Sequence, residues 1–566
     1  MKISLISIFP GIHDYGMRTI SACLKQAGHD VKLFFLLKEF YKRYSETAMN
    51  NLVKLTKGSD LVGITLMTNF WDNAIQVTQK LRDNYDFPIL WGGIHPTIRP
   101  EECLDYADMV CIGEGEETIV ELADKMQNKQ YYYDVKGMWF NDKGKKIANG
   151  TRALPGTKNA ARIKSLDQIP FQDFDYRSHF ILKGDNIIKM DEKIVEQCAD
   201  GTYQTFPTRG CPFGCTFCIN NTILAMHPHQ KPIRKRSVDN IMMELQEVKS
   251  KLPFIDIILF NDDAFFLMSL DEIKELSKRY KEQIGLPLYI TGATPATLTK
   301  EKLSLLVDAG LVEIRMGIQS AAERAKKIYK RPHTDQQVEN AVRMVNKHRN
   351  QVKAGYDIIL DSPWETDEDL TETLMFLSKL PTPFILTILS LIFYPGTDIY
   401  TKAKKEGLIK DDLNDIYRKY YHGSSNTYLN KLFFLLSDYT IVGIGISPII
   451  MFILTHKMTK KLYLHKFLRN IIRALFPFFR YIGRTFRPLP TRLYEAGNIV
   501  KFGDSKRTYR TYGQSNFNLP KFHGENPKEH FDLPGSSKST SWLVRKFRKL
   551  SKMIYELKGM DIIKKK

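Results

Sequence analysis

Twice along this chain, short apolar runs of strand length alternate with stretches of helical period, and this alternation constrains the fold more than any other feature. In the front part, residues 2–9 form an apolar run. After a Pro-Gly loop a helical pattern runs through Ile20, Cys23 and Leu24 to a stop at Ala27-Gly28. Further strands are predicted at Val31–Leu37, Asp60–Thr65, Pro88–Leu90 (closed by Gly92-Gly93) and Met109–Ile112 (closed by Gly113), with helices over about Trp71–Tyr85 and from Glu116. Alternation at such short spacing implies a parallel, doubly wound sheet with ligands at the carboxyl ends of its strands. The pattern resumes at Thr202, with strands near 202–208, 255–261, 287–292, 312–318, 354–360 and 386–394, and helices at about 237–250, 271–282, 299–308, 335–349 and 367–379. Six βα units without a convincing seventh predict an open partial barrel. The chain is thus expected to be α/β: a Rossmann-like domain over 1–130, a hairpin and turn-rich linker over 131–200, a partial (βα)6 barrel over 201–400, and a helical, basic region over 401–566.

Composition sharpens the ends of this picture. With 43% hydrophobic and 26% charged residues among 566, disorder throughout is excluded. The formal charge of +20 is concentrated: residues 451–566 hold 26 Lys and Arg against 7 Asp and Glu, an excess of 19. Such a tail can serve nucleic acid, an anionic membrane surface or solubility. Leu432–Leu454 carries one charge, Asp438, and just reaches the ~20 apolar residues of a membrane span. Gly443, Gly445, Ser447 and Pro448 interrupt it, which suits a buried or interfacial hairpin equally well. Within Lys457–Arg487, Leu464, Phe467, Leu468, Ile471, Ile472, Leu475 and Phe479 alternate with basic residues, so an interfacial helix on an anionic membrane is favoured over nucleic acid, with packing on the barrel as the alternative. The N-terminus is too short for a signal sequence and reads as a strand. Seven cysteines at low density form no disulfide framework, which places the chain in the reducing cytoplasm, peripheral to the membrane where the tail engages it.

Three of those cysteines fall within eight residues, in Thr208-Arg-Gly-Cys211-Pro-Phe-Gly-Cys215-Thr-Phe-Cys218. Three thiolates on one loop suit a soft metal centre, and no His or fourth Cys at usable spacing completes a zinc site. An iron–sulfur cubane held by three thiolates keeps one iron open to a substrate or cofactor. Cys23, Cys103 and Cys111 lie in apolar settings and read as ordinary buried residues.

At these residues the sequence resembles the radical S-adenosylmethionine superfamily, whose signature is Cys-x3-Cys-x2-Cys with an aromatic residue, here Phe217, before the last Cys. The resemblance covers roughly residues 200–400. It implies that Cys211, Cys215 and Cys218 hold a 4Fe–4S cluster, that the open iron chelates S-adenosylmethionine, and that an electron from a donor such as flavodoxin or ferredoxin cleaves it to a 5′-deoxyadenosyl radical. Asn261-Asp262-Asp263 matches the polar loop that contacts the methionine amino group, through Asp262 or Asp263. Gly317-Ile-Gln319-Ser320 resembles the family's Gly-x-Gln-Ser near the ribose and carboxylate. Asp361-Ser-Pro-Trp-Glu365-Thr366 resembles Gly-x-Pro-Gly-Glu-Thr, but Asp361 and Trp364 replace glycines, a change expected to narrow the substrate cleft. Glu365 and Thr366 are equally able to cap the next helix.

The front domain is similar to the cobalamin-binding domain that precedes such barrels, through Leu24-Lys-Gln-Ala-Gly28-His-Asp-Val31, Val62-Gly-Ile-Thr65, Gly92-Gly-Ile-His-Pro96 and Gly113-Glu-Gly-Glu116. This resemblance implies that Gly92 and Gly93 border the nucleotide tail, that Thr65 and Met67 lie near the dimethylbenzimidazole, and that Gly113 and Gly115 let the backbone pass the cofactor. His13 matches the lower axial cobalt ligand of free-standing domains. However, Gly11 stands where the supporting Asp would be, so His13 is also readable as a plain loop residue. Together the resemblances imply a cobalamin-dependent radical enzyme, foremost a methyltransferase acting at an unactivated carbon of an apolar small molecule or lipid. The alternatives are a radical cyclase or oxidase similar to the anaerobic magnesium-protoporphyrin monomethyl ester cyclase, and a non-enzymatic scaffold binding membrane or nucleic acid through the tail. A methylthiotransferase is disfavoured, because Cys23, Cys103 and Cys111 lack that family's spacing.

Overall fold

In the computed structural model, which describes residues 1–461 apart from 229, 332, 420 and 442, the front alternation builds one nine-stranded sheet. Its core strands β1 (Lys2–Ser7), β2 (Asp30–Phe35), β3 (Leu61–Thr65), β4 (Ile89–Gly92) and β5 (Met109–Cys111) are parallel, in the order β5-β4-β3-β1-β2. Helices cover both faces, so alternation of polar and apolar side chains is lost. Ile3, Leu5, Ile6, Leu33, Phe34, Val62 and Ile64 are all buried, whichever face they point to.

Residues 131–200 are more than the expected linker. They supply two hairpins, β6 (Met138–Asp142) with β7 (Lys145–Ala148) and β8 (His179–Lys183) with β9 (Asn186–Lys189). The first adds antiparallel to β5 and the second adds to β2 through a parallel β8. Both edges of the parallel core are thereby paired, which removes the open backbone groups that would otherwise template association.

The second alternation forms β10 (Thr202–Thr205), a ribbon of β11 (Thr208–Arg209) and β12 (Arg234–Lys235), then β13 (Ile257–Phe260), β14 (Leu288–Ala293), β15 (Leu311–Gln319), β16 (Lys353–Leu360) and β17 (Ile385–Ser390). The six strands other than the ribbon are parallel and neighbours in chain order, the expected open arc. The predicted strand over 202–208 is divided. Pro207 cannot donate to the ladder, and the chain leaves β10 there to enter the ribbon. Helices return between strands from Ser or Thr caps: Ser237, Ser269, Thr299 and Thr334 each accept a backbone N–H three residues on, a bond that stabilises each helix start by about 1 kcal/mol.

Beyond the barrel, the helix Tyr428–Ile441 lies against β17 and the helix Asp367–Lys379, burying Leu429, Leu432, Phe433 and Leu436. Thr440 O accepts from Phe384 N at 3.2 Å. The first half of the apolar segment 432–454 is therefore barrel cover. A separate short helix, Pro448–Thr455, follows. Among the described residues, no helix is long and apolar enough to cross a membrane. The amphipathic pattern after Lys461 lies outside the described residues.

Candidate functional site

The carboxyl edges of the two parallel sheets face each other. Asn69, just beyond β3, donates to the carbonyls of Tyr417 (3.1 Å) and Lys419 (2.8 Å) and accepts from the Tyr394 hydroxyl beyond β17 at 3.0 Å. Glu114, beyond β5, pairs with Arg209 and Arg234 of the ribbon. All of these lie within one compact unit, Met1–Lys457.

The cysteine loop leaves the ribbon through Gly210, whose φ of +88° is left-handed and whose absent Cβ would lie 2.4 Å from Pro232 O. Only glycine fits there. Thr216 then pins the loop: its N–H and hydroxyl donate to Tyr329 O (3.2 Å) and Ile328 O (2.8 Å), and its carbonyl accepts from Ile399 N. Phe217 meets Tyr329 edge-on at 5.4 Å and packs with Ala325 and Ile399. Its ring thus supports the loop. Cys215 is buried, and Cys211 and Cys218 are half-buried. Burial, reinforced by the Asp263 charge, pushes the Cys211 and Cys218 thiols up to about 11 and about 12, so metal must displace their protons. The Arg331 guanidinium donates to Cys215 Sγ at 3.2 Å and to Gly317 O at 2.8 Å. Among the described residues, no three His, Cys, Asp or Glu side chains converge as a single-ion site requires. Cys215 nevertheless raises the pKa of Cys211 and Cys218, and Cys211 that of Cys218, and three neighbouring thiols suit a multi-iron cubane in which each binds a different iron.

At the end of β13 the two aspartates diverge. Asp262 is turned inward: its oxygens accept from Thr208 N and Oγ1 (both 2.7 Å) and Ala264 N (2.8 Å). The Asp262 carboxylate is thus engaged by the chain itself. Asp263 is open to solvent although protein surrounds it on most sides, as a cleft wall would be. Burial raises its pKa, while a hydrogen bond with Asn220 opposes that shift.

Of the β15 pair, Gln319 has φ +67°, is 8% exposed and leaves Oε1 without a partner. Its amide folds over Gly317, where a Cβ would lie 2.6 Å from Nε2. Ser320, by contrast, is enclosed by Glu365 (3.0 Å), Thr373 (3.0 Å) and Ala322 N. Its hydroxyl is thus engaged within the protein. Glu365 accepts from Ser320 and the Tyr329 hydroxyl (3.0 Å), and burial raises its pKa to about 7. Thr366 alone caps the helix, in a reciprocal box with Asp369.

The two residues in place of family glycines do not narrow the cleft. Trp364 donates to Glu406 at 2.6 Å and lies under Lys402, and Asp361 holds Ser390, Ser425 N and Asn430 at 2.7–2.9 Å. Both face the C-terminal segment. The inner wall of the arc is mixed, since register places Leu259, Ile359, Ile385 and Leu389 on the same face as its charged residues. Ile314, Met316, Tyr356 and Ile358 are buried under helices, while the intervening Glu313, Arg315 and Asp357 face inward, with Lys353–Glu313 at 3.1 Å and Arg315–Asp357 at 2.6 Å.

On the front sheet, Gly93 (φ +103°) would place a Cβ 2.8 Å from Leu66 O and 3.0 Å from Thr65 Oγ1, so it closes against the end of β3 beside Thr65. The Met67 side chain is exposed there. Gly92 ends β4 in ordinary contact with Cys111, and Gly113 (φ +77°) opens onto free space. At Gly115 a Cβ would meet Ile20 and Ile119 at 3.0 and 3.3 Å, so its lack of a side chain serves packing between helices. His13 is held neutral, its pKa lowered to about 4 by burial and by Arg18, and its Nε2 is buried without a partner. A neutral imidazole with a free nitrogen fits a metal ligand chemically. Asp14 does not stand behind it; that carboxylate caps the helix Tyr15–Gln26 and accepts from Ser7. His95 is fully buried between Glu102 (2.9 Å) and Thr68 (3.2 Å), away from the mouth. Sequence reasoning missed Arg331, Arg209, Arg234, Glu114 and Glu116. The charge pairs flanking the cysteine and Gly-x-Gly motifs were the available signal.

Two family descriptions match this architecture: the B12 binding domain over residues 1–123 and the Radical SAM superfamily over 205–377. The chain belongs to the B12-binding-domain-containing radical SAM enzymes, with a 4Fe–4S cluster, S-adenosylmethionine and cobalamin as cofactors. It is 27% identical to an uncharacterised methyltransferase of Pyrococcus horikoshii, over 70% of this chain and 80% of that one. It is 26% identical to the anaerobic magnesium-protoporphyrin IX monomethyl ester cyclase of Cereibacter sphaeroides, over 50% and 43%. In fold it is similar to the radical S-adenosylmethionine methyltransferase TsrM of Kitasatospora setae, solved with cobalamin and a 4Fe–4S cluster bound, at a TM-score of 0.56, 15% identity and coverage of 72% and 75%.

Proposed function

We propose that this enzyme transfers a methyl group to a carbon of a small molecule held between the two facing sheet edges. The observation that carries the reading is that apposition: the loop after β5, whose Gly113 has no neighbour within 4 Å, meets through Glu114 the ribbon residue Arg209 that leads into the cysteine loop. When bound, the cluster and S-adenosylmethionine supply radical chemistry, and cobalamin supplies the methyl group. The chain's own residues bind and orient. Cys211, Cys215 and Cys218 hold the cluster, Asp263 receives the methionine ammonium, and Gln319 offers its unpartnered oxygen to the nucleoside. Gly113 clears the way for the corrin, Gly92 and Gly93 border the nucleotide tail, and Thr65 and Met67 lie near its dimethylbenzimidazole.

Glu313, Arg315 and Asp357 share the inner face with Ile359, Ile385 and Leu389, which supports a substrate with both hydrogen-bonding and apolar parts. The test is anaerobic preparation of the full chain with iron, sulfide and cobalt assays, followed by incubation with methyl-labelled S-adenosylmethionine and cell extract. Label in a small-molecule product is expected. Formation of 5′-deoxyadenosine with cobalt bound but no label transferred would favour the cyclase or oxidase reading, which the Cereibacter relative supports.

A further inference from the structure

Glu114, in the loop after β5, and Glu116, which opens the helix Glu116–Gln127, meet Arg209 and Arg234, paired across the β11–β12 ribbon. Glu114 Oε2 accepts from Arg209 (3.0 Å) and Arg234 (2.8 Å), its Oε1 accepts from Arg234 at 2.5 Å, and Glu116 pairs with Arg209 at 2.6 Å. Arg234 donates as well to Pro155 O at 2.7 Å. The Arg234–Glu114 contact is a two-pronged fork, the geometry that fixes direction as well as distance. The four side chains are 5–23% exposed. Charges taken this far out of water gain little net stability over apolar residues of equal volume, so a stabilising role is a weak explanation for them.

Their place in the chain supplies a better one. Gly113, open and left-handed, precedes Glu114 on the cobalamin side, and Arg209 stands two residues before Cys211 on the cluster side. Between Arg209 and Cys211, Gly210 lies so close to Pro232 O that the ribbon and the start of the cysteine loop move as one piece. A shift of the front loop is therefore handed to the cluster loop without slack.

We propose that Glu114 and Arg234 are positioning residues that set the spacing between bound cobalamin and the cluster. This rests on the cofactor reading above. The consequence is that breaking the fork leaves both cofactors bound but out of register.

The experiment uses the full chain loaded with iron, sulfide and hydroxocobalamin, then reduced to paramagnetic cob(II)alamin beside a reduced cluster. A fast-relaxing cluster speeds relaxation of a nearby spin in a steeply distance-dependent way, so microwave power saturation of the cob(II)alamin EPR signal reports the spacing. Wild type is expected to saturate at higher power when the cluster is reduced than when it is oxidised. Glu114→Ala and Arg234→Met are expected to keep wild-type iron and cobalt contents and to lose that difference. If Glu114→Ala does not fold, Glu114→Gln, which keeps the side chain's shape while removing the charge and one arm of the fork, carries the test. Variants with full cofactor content and wild-type saturation behaviour would overturn the proposal while leaving the cofactor reading intact. A wild-type chain that binds no cobalt would overturn both.

Discussion

At the scale of single residues, the cluster loop is governed by charge placed within hydrogen-bond reach of sulfur. Arg331 donates to Cys215 Sγ, and donors to cluster sulfurs stabilise the more negative, reduced state. Arg331→Met is expected to drive the cluster potential more negative. If the lost bond is worth about 1.5 kcal/mol, the shift is about 60 mV for one electron, readable by EPR-monitored titration. An unchanged potential would mean that the guanidinium serves Gly317 alone. Glu365 offers a second test. Burial raises its folded pKa from 4.5 to about 7, so between these values the folded state holds a proton that the unfolded chain has lost. Its contribution to stability is therefore present below about pH 4.5 and lost as pH rises through about 7. Stability against urea should fall with pH across that window by at most about 1.4 kcal/mol per unit from this group. Glu365→Gln should flatten that part of the profile. Asp262, raised to about 6 in the same window, keeps a residual slope in the variant.

At the scale of elements, the connection between ribbon and cysteine loop depends on one backbone conformation. Gly210→Ala would force a Cβ into Pro232 O at positive φ; the left-handed backbone alone costs about 1–2 kcal/mol. Loss of iron loading with the barrel still folded is the expected outcome, checked by iron assay beside circular dichroism. The parallel strands and the cysteine motif were legible in the sequence because apolar runs and close thiol spacing are local signals. What escaped was decided by partners far along the chain. The hairpin β8–β9 has only four or five residues per strand and pairs with β2 across more than 140 residues of sequence. Asp262 and Asp263 look equivalent as a dipeptide, and only the position of Thr208 decides which one faces the cleft. Asp361 and Trp364 read as cleft residues because their true partners, Asn430 and Glu406, lie beyond the barrel. The packing role of Gly115 shows only once Ile20 is seen against it.

For the whole molecule, the remaining question is how a near-neutral two-sheet body relates to a tail with 26 basic and 7 acidic residues. The helix Pro448–Thr455 marks the junction. Met451 and Leu454 face the protein, whereas Ile449, Ile450, Phe452 and Ile453 are 50–72% exposed. Four large apolar side chains on one short helix exceed the scattered exposure usual for a surface. Were this face to meet an anionic membrane, the basic tail would add about 1 kcal/mol per engaged Lys or Arg, and sedimentation with vesicles tests it. The full chain should sediment with vesicles containing phosphatidylserine, and salt should weaken the attachment. Because Leu432, Phe433 and Leu436 cover the barrel, a chain cut near residue 430 would damage the enzyme, so the informative changes lie further on. A chain ending at Lys461 should lose the salt-sensitive part of the binding. Replacing Ile449, Ile450, Phe452 and Ile453 by Ser in the full chain should remove the salt-resistant part, up to about 1.5–3 kcal/mol for each side chain that the bilayer would have buried fully. Sedimentation unchanged by both alterations would show that neither the exposed face nor the tail meets the membrane.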